Sequence, residues 1–185
     1  MKSRFPIKLM LASMVIAAGT AMAANTNPAG GSDDAQIAQK VAHEIRMYPR
    51  YTMWDNISVR VQNGEVDLQG QVSQPFKKAD LGRLAQRVSG VRSVANEIEV
   101  LPNSFFDDRI RLAVARAIYR DPVLSRYAIQ SVPPIHIIVD NGHVTLEGVV
   151  NSPMEKNVAG IRASQGLSFG QVTNNLQVEN PGKKG

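Results

Sequence analysis

Ile37, Val41, Ile45 and Tyr48 recur at i, i+4, i+8 and i+11, which places them on one face of a helix, while Gln39, His43 and Arg46 fall on the opposite, polar side. Asp33 and Asp34 stand at the expected positive end of that helix and Pro49 stops it. The period then changes to two. Ile57, Val59 and Val61 alternate with Ser58, Arg60 and Gln62, and after Asn63-Gly64 the alternation resumes through Val66, Leu68, Gly70 and Val72. Beyond Ser73-Gln74-Pro75, helical spacing returns in Leu81, Leu84, Ala85 and Val88, and Val94, Ile98 and Val100 read as a last strand. The order is αββαβ.

The pattern is then written a second time. Asn63-Gly64-Glu65-Val66-Asp67-Leu68-Gln69-Gly70-Gln71-Val72 returns as Asn141-Gly142-His143-Val144-Thr145-Leu146-Glu147-Gly148-Val149-Val150, 78 residues later (141 minus 63). An Asn-Gly pair followed by alternating apolar residues predicts a β-hairpin with a type I′ turn, because both turn residues need φ > 0. Turn geometry accounts for Gly64 and Gly142. Gly70 and Gly148 lie inside a strand pattern, which predicts a bulge or a close approach of another backbone, with a helix packed over the sheet as the expected cause. In the second copy Ile110, Val114, Ala117 and Ile118 make the first helix, Ile135, Ile137 and Val139 the first strand, and Val144, Leu146 and Val150 the second. Val158, Ile161 and Leu167 make a weaker helix, and Val172, Leu176 and Val178 the last strand. Five additional residues between helix and hairpin accommodate Tyr127 to Pro134. The expected architecture is α+β: two repeated αββαβ domains, residues 34–101 and 104–179, each a small three-stranded mixed sheet covered on one face by two helices. The short linker, Pro102-Asn103, predicts domains that touch.

The ends of the chain change the charge balance. Lys2, Arg4 and Lys8, the apolar run Leu9 to Ala18 and the small residues of Ala21-Met22-Ala23 read as a secretory signal peptide over residues 1–23, since a spanning helix needs ~20 apolar residues. Residues 24–33 read as a flexible lead and 180–185 as a basic tail. Removing three leader cations leaves 18 Lys and Arg against 16 acids, and each domain is balanced, nine of each sign in 33–101 and seven of each in 104–180. A nucleic-acid binder would carry a basic domain, so nucleic acid is not an expected partner. The chain has no cysteine, hence no disulfide and no thiol for a lipid anchor. With the form of the leader, this suits a free protein of a bacterial periplasm.

The paired segments Gly64-x-Val66-x-Leu68-x-Gly70-x-Val72 and Gly142-x-Val144-x-Leu146-x-Gly148-x-Val150, with Gly90-Val91-x-x-Val94 and Ile98-Glu99-Val100, resemble BON domains over residues 34 to 179. The second copy departs where Ser168-Phe169 replaces Gly90-Val91. The resemblance implies tandem modules of the soluble osmotic-stress type, without enzymatic activity, attached to envelope phospholipid or to envelope partners. Lipoprotein members use a lipidated cysteine that this chain lacks.

No Gly-x-Ser-x-Gly, His-Glu-x-x-His or phosphate loop occurs, and His43, His136 and His143 show no repeated ligand spacing. No catalytic residue, metal or other cofactor is expected. The informative asymmetry lies in the first helix of the second domain. Arg109, Arg111, Arg116, Arg120 and Arg126 are five of that domain's seven cations, and Phe105, Leu112 and Tyr119 at i, i+7 and i+14 lie opposite Ile110, Val114 and Ala117. Phe105, Leu112 and Tyr119 edged by Arg109, Arg116 and Arg120 form the stripe an interfacial helix presents to anionic phospholipid, in peripheral contact only. The alternative is a protein partner, in a chaperone-like stress module or through packing on the first domain, with the arginines paired to Asp107, Asp108 and Asp121.

Overall fold

A computed structural model describes residues 29–166 and 171–179. The first domain runs α1 (Ala29–Met47), β1 (Asn56–Gln62), β2 (Glu65–Val72), α2 (Pro75–Gln86), β3 (Ser93–Asn96) and β4 (Glu99–Val100). The second runs α3 (Phe105–Tyr119), a short 3-10 turn (Ser125–Ile129), β5 (Ile135–Asp140), β6 (His143–Val150), α4 (Pro153–Gln165), β7 (Val172–Asn174) and β8 (Gln177–Val178). In each domain the hairpin is antiparallel and its second strand pairs in parallel with the last two segments, which are halves of one interrupted strand. The two αββαβ units are as expected. Helix α1 starts four residues before Asp33, inside the stretch expected to be a flexible lead. Leu167, the Ser168-Phe169 departure, the leader and the basic tail lie outside the described residues.

Each sheet presents one face to its helices. Val66, Leu68, Val72, Leu81, Ala85 and Ile98 close on Ile37, Val41 and Ile45 in the first core. The second core joins Ile110, Val114 and Ile118 to Ile135, Ile137, Val139, Val144, Leu146 and Val150, and the longer connection adds Leu124 and Tyr127. The inward face of α4 is made of Glu155, Ala159 and Ala163, whereas Ile161 is exposed. The expected face through Val158 and Ile161 is thus rotated: small alanines let α4 lie close to the sheet, which leaves the larger side chains at its flank.

The hairpin turns are held by a device that the spacing of apolar residues does not reveal. Asn63 and Gly64 have φ of 52° and 76°, Asn141 and Gly142 48° and 83°, as a type I′ turn requires. A carboxylate from the first helix of each domain accepts both turn amides. Asp34 receives the N–H groups of Asn63 and Gly64 at 2.6 and 2.8 Å, and Asp107 those of Asn141 and Gly142 at 3.1 and 2.8 Å. One helical turn on, Arg111 is buried and donates to the Val139 carbonyl at 2.7 Å, so α3 holds both the turn and the end of β5 that enters it. Asp107→Ala leaves two amides without their charged acceptor and is expected to cost the second domain about 1–3 kcal/mol in urea denaturation. Asp107→Asn, which keeps one side-chain acceptor, should recover part of that loss.

Gly70 and Gly148 have φ of +119° and +114°. A Cβ there would stand 2.1 Å from the Asn56 carbonyl oxygen and 1.9 Å from that of Pro134. The backbone that demands glycine is therefore the neighbouring strand of the same hairpin, and the helix packing expected from the sequence is not the cause. Helix contact governs another repeated pair: Gly82 and Gly160 face the side chains of Asn96 and Asn174, which cross from the interrupted strand to donate to the Lys78 and Lys156 carbonyls.

The far end of each hairpin holds buried polar groups. Lys77 Nζ lies 2.6 Å from Asp55 Oδ2, and Asp55 also accepts from the amides and hydroxyls of Thr52 and Ser73. The position 78 residues after Lys77 is Glu155, buried with opposite sign, which accepts from the Tyr127 hydroxyl and the Asn151 amide and pairs with Arg126. The loop that Asp55 anchors reaches the other domain. Ile137 on the edge strand β5 donates its N–H to the Met53 carbonyl at 2.8 Å, Trp54 packs against the second core, and the Tyr51 and His136 rings lie 5.7 Å apart. The domains touch through this loop, and burial holds the His136 imidazole below its ordinary pKa.

Candidate functional site

Helix α3 is started by Ser104, whose hydroxyl accepts the Asp107 amide at 3.2 Å, and its inner face is pinned by Asp107, Ile110, Arg111, Val114 and Ile118. That anchoring fixes what the outer face presents. Phe105 is 80% exposed and Phe106 56%, with Leu112 at 49%. Arg109, Arg116 and Arg120 are exposed beside them and make no ion pair among the described residues. Large apolar side chains left in water next to exposed guanidinium groups mark this face as a candidate interaction surface.

Tyr119 does not belong to this face. Its ring packs against the second core and its hydroxyl donates to the Ile135 carbonyl at 2.6 Å, and burial pushes the phenol above its usual pKa. The helical angle is as expected from the sequence, but the longer connection after α3 folds back and brings the start of β5 against this flank. The arginine pairing expected as the alternative is realised only in part. Arg111 pairs with Asp108 at 2.5 Å, Asp107 is consumed by the hairpin turn, and Asp121 pairs with Arg162 of α4. Packing on the first domain does not cover the stripe either; Leu112 merely lines, with Trp54, Gln74, Pro102 and Arg111, an open cleft of about 270 Å³ between the domains.

Phe106 is the member that sequence reasoning missed. At 100° from Phe105 it falls outside the stripe drawn at i, i+7 and i+14, yet it lies at the helix start beside the hairpin turn, where a Cβ at Gly142 would meet its ring at 3.6 Å. The matching face of the first domain carries Gln39, His43 and Arg46, all exposed. Among the described residues no group of three potential metal ligands is present, and no helix is long and apolar enough to cross a membrane.

Two small α+β modules in tandem, with matching hairpin clamps and dissimilar first helices, define the class of protein. The chain belongs to the BON-domain family, whose model matches residues 33–102 and 106–180. BON domains are associated with envelope and osmotic-stress proteins and with membrane binding, and the family is generally non-enzymatic. No curated protein matches the chain. Among solved structures it is similar to the C-terminal domain of CdsD, a structural protein of the type III secretion system of Chlamydia trachomatis, at 13% identity over 77% of this chain and 96% of that one, with a TM-score of 0.27. A second CdsD structure is similar at 12% identity over 78% and 92%, again with a TM-score of 0.27. These likenesses are too distant to bear on fold or function.

Proposed function

We propose that this is a non-enzymatic protein of the periplasm that docks on anionic phospholipid surfaces of the envelope, under conditions such as osmotic stress, through helix α3. The observation that carries the reading is the coincidence on one helix of exposed Phe105, Phe106 and Leu112 with exposed Arg109, Arg116 and Arg120. Aromatic rings at the helix start enter the acyl boundary while the guanidinium groups, on long apolar stems, meet lipid phosphates. Asp108 opposes an anionic surface, but Arg111 beside it compensates that charge. Tyr119 takes no part.

Co-sedimentation with phosphatidylcholine vesicles, with and without phosphatidylglycerol, tests the reading. Wild type is expected to bind only the anionic vesicles. Phe105→Ser/Phe106→Ser removes two rings that the fold leaves in water, so binding should fall by roughly tenfold or more with stability changed by no more than about 0.5 kcal/mol. Absence of wild-type binding would sink the membrane reading. Suppression of aggregation of an unfolded client by the same face, without lipid, would replace it with a chaperone-like role.

A further inference from the structure

Helices α3 and α4 flank an open surface cleft of about 420 Å³ lined by Arg116, Ala117, Arg120, Asp121, Pro122, Arg162 and Gln165. Arg116 and Arg120 are one helical turn apart and exposed. Arg162 comes from the other wall and is set in place before any ligand arrives: its Nε donates to Asp121 Oδ2 at 2.6 Å and its Nη1 to Gln165 Oε1 at 2.9 Å. Asp121 is buried and itself fixed by the Val123 amide at 2.8 Å, and the Arg162 hydrogen bond holds its carboxyl below the usual carboxylate range. Three cations against one carboxylate leave two positive charges without a counter-charge in the cleft.

The same place in the first domain has none of this. Counting back from the hairpin clamp, which relates Asp107 to Asp34 (107 minus 34, or 73), Arg116 and Arg120 correspond to His43 and Met47. Counting by the 78-residue repeat, Arg162 corresponds to Leu84. The arginines are thus peculiar to the second domain and converge there from two helices.

We propose that this cleft binds one phosphate group, the phosphodiester of an anionic lipid headgroup, between Arg116 and Arg120 on one side and Arg162 on the other. Guanidinium groups match the oxygens of phosphate with paired donors, and a preset Arg162 loses little freedom on binding. The headgroup assignment rests on the membrane reading of α3, whose Arg116 and Arg120 it shares; Arg162 is the new member. The rings of Phe105 and Phe106 lie at the opposite end of the helix, so acyl contact and headgroup contact occupy different ends of one surface.

The test follows the side-chain Nε–H signals of the arginines by NMR, at constant ionic strength, during titration with glycerophosphoglycerol and, separately, with inorganic phosphate. The expected result is saturable shifts of Arg116, Arg120 and Arg162 together with the diester, and loss of the Arg162 shift in Arg116→Gln/Arg120→Gln. Non-saturable shifts, or shifts confined to Arg116 and Arg120, would overturn the cleft. Shifts with inorganic phosphate and none with the diester would overturn the headgroup assignment. The two readings fail separately: if phosphatidylglycerol vesicles bind but the diester neither shifts Arg162 nor competes, the cleft is wrong and membrane docking stands, whereas saturable diester binding without vesicle binding sinks the docking.

Discussion

Gly148→Ala is expected to remove a large part of the second domain's stability. At φ +114° an L side chain is strained wherever it stands, which costs about 1–3 kcal/mol. The added Cβ would also sit 1.9 Å from the Pro134 carbonyl oxygen and 3.1 Å from its carbon, both backbone atoms of the paired strand. Relief requires β6 to move away from β5 where Ile135 pairs with Gly148, and the Val149 amide then loses the Pro134 carbonyl. The sum should reach about 4–5 kcal/mol, against a total of only about 4–11 kcal/mol for a domain of this size. Gly142→Ala is the contrast. Its φ of +83° carries strain, but the only atom a Cβ would meet is in the Phe106 ring at 3.6 Å, so about 1–2 kcal/mol is expected. Thermal melts followed by circular dichroism should rank wild type, Gly142→Ala and Gly148→Ala in that order. A Gly148→Ala protein that melts with wild type would show that the strands are not this close.

Lys77→Met is expected to cost about 3–5 kcal/mol, because it leaves Asp55 charged, fully buried and without its cation. The amides and hydroxyls of Thr52 and Ser73 remain on Asp55, which places the cost toward the lower end. The consequence should spread between domains. Asp55 anchors the loop whose Met53 carbonyl and Trp54 ring engage the second domain, so loosening it should expose Trp54, the chain's single tryptophan. A red shift of tryptophan fluorescence at denaturant concentrations where far-ultraviolet circular dichroism is still native is the expected signature. Adding Asp55→Asn to Lys77→Met should recover part of the stability by removing the unpaired charge. No loss in Lys77→Met, or a shift of fluorescence only with global unfolding, would separate the ion pair from the domain contact.

These two sites differ in how far the chain announces them. Gly148 stands inside an alternating strand, and its repetition at Gly70 marks a backbone requirement; which backbone presses on it depends on strand register, and the helix expected there proved to be the adjacent strand. Lys77 gives no signal at all. A lysine two residues after Pro75 reads as a solvated helix start, and it becomes a buried cation only because Asp55, 22 residues earlier in the chain, folds beneath it. The swap to Glu155 in the second domain conceals the correspondence further, since a residue-by-residue comparison of the copies sees opposite charges where the fold sees one buried polar position.

The candidate site divides in the same way. Phe105, Leu112, Arg109, Arg116 and Arg120 were legible because helical periodicity places side chains by angle alone, and nothing in the fold covers them. Tyr119 has a similar angle and fails, because exposure depends on what packs alongside the helix, here the start of β5. Phe106, at an angle closer to the core, is nevertheless 56% exposed in the first turn of the helix. The sequence by itself determined the two αββαβ units, their type I′ turns and the odd composition of α3, since local periodicity and turn chemistry act over a few residues. Only the tertiary structure decided which aspartates hold the turns, which arginines stay unpaired and which aromatics remain in water, because burial and ion pairing are set by neighbours distant in the chain.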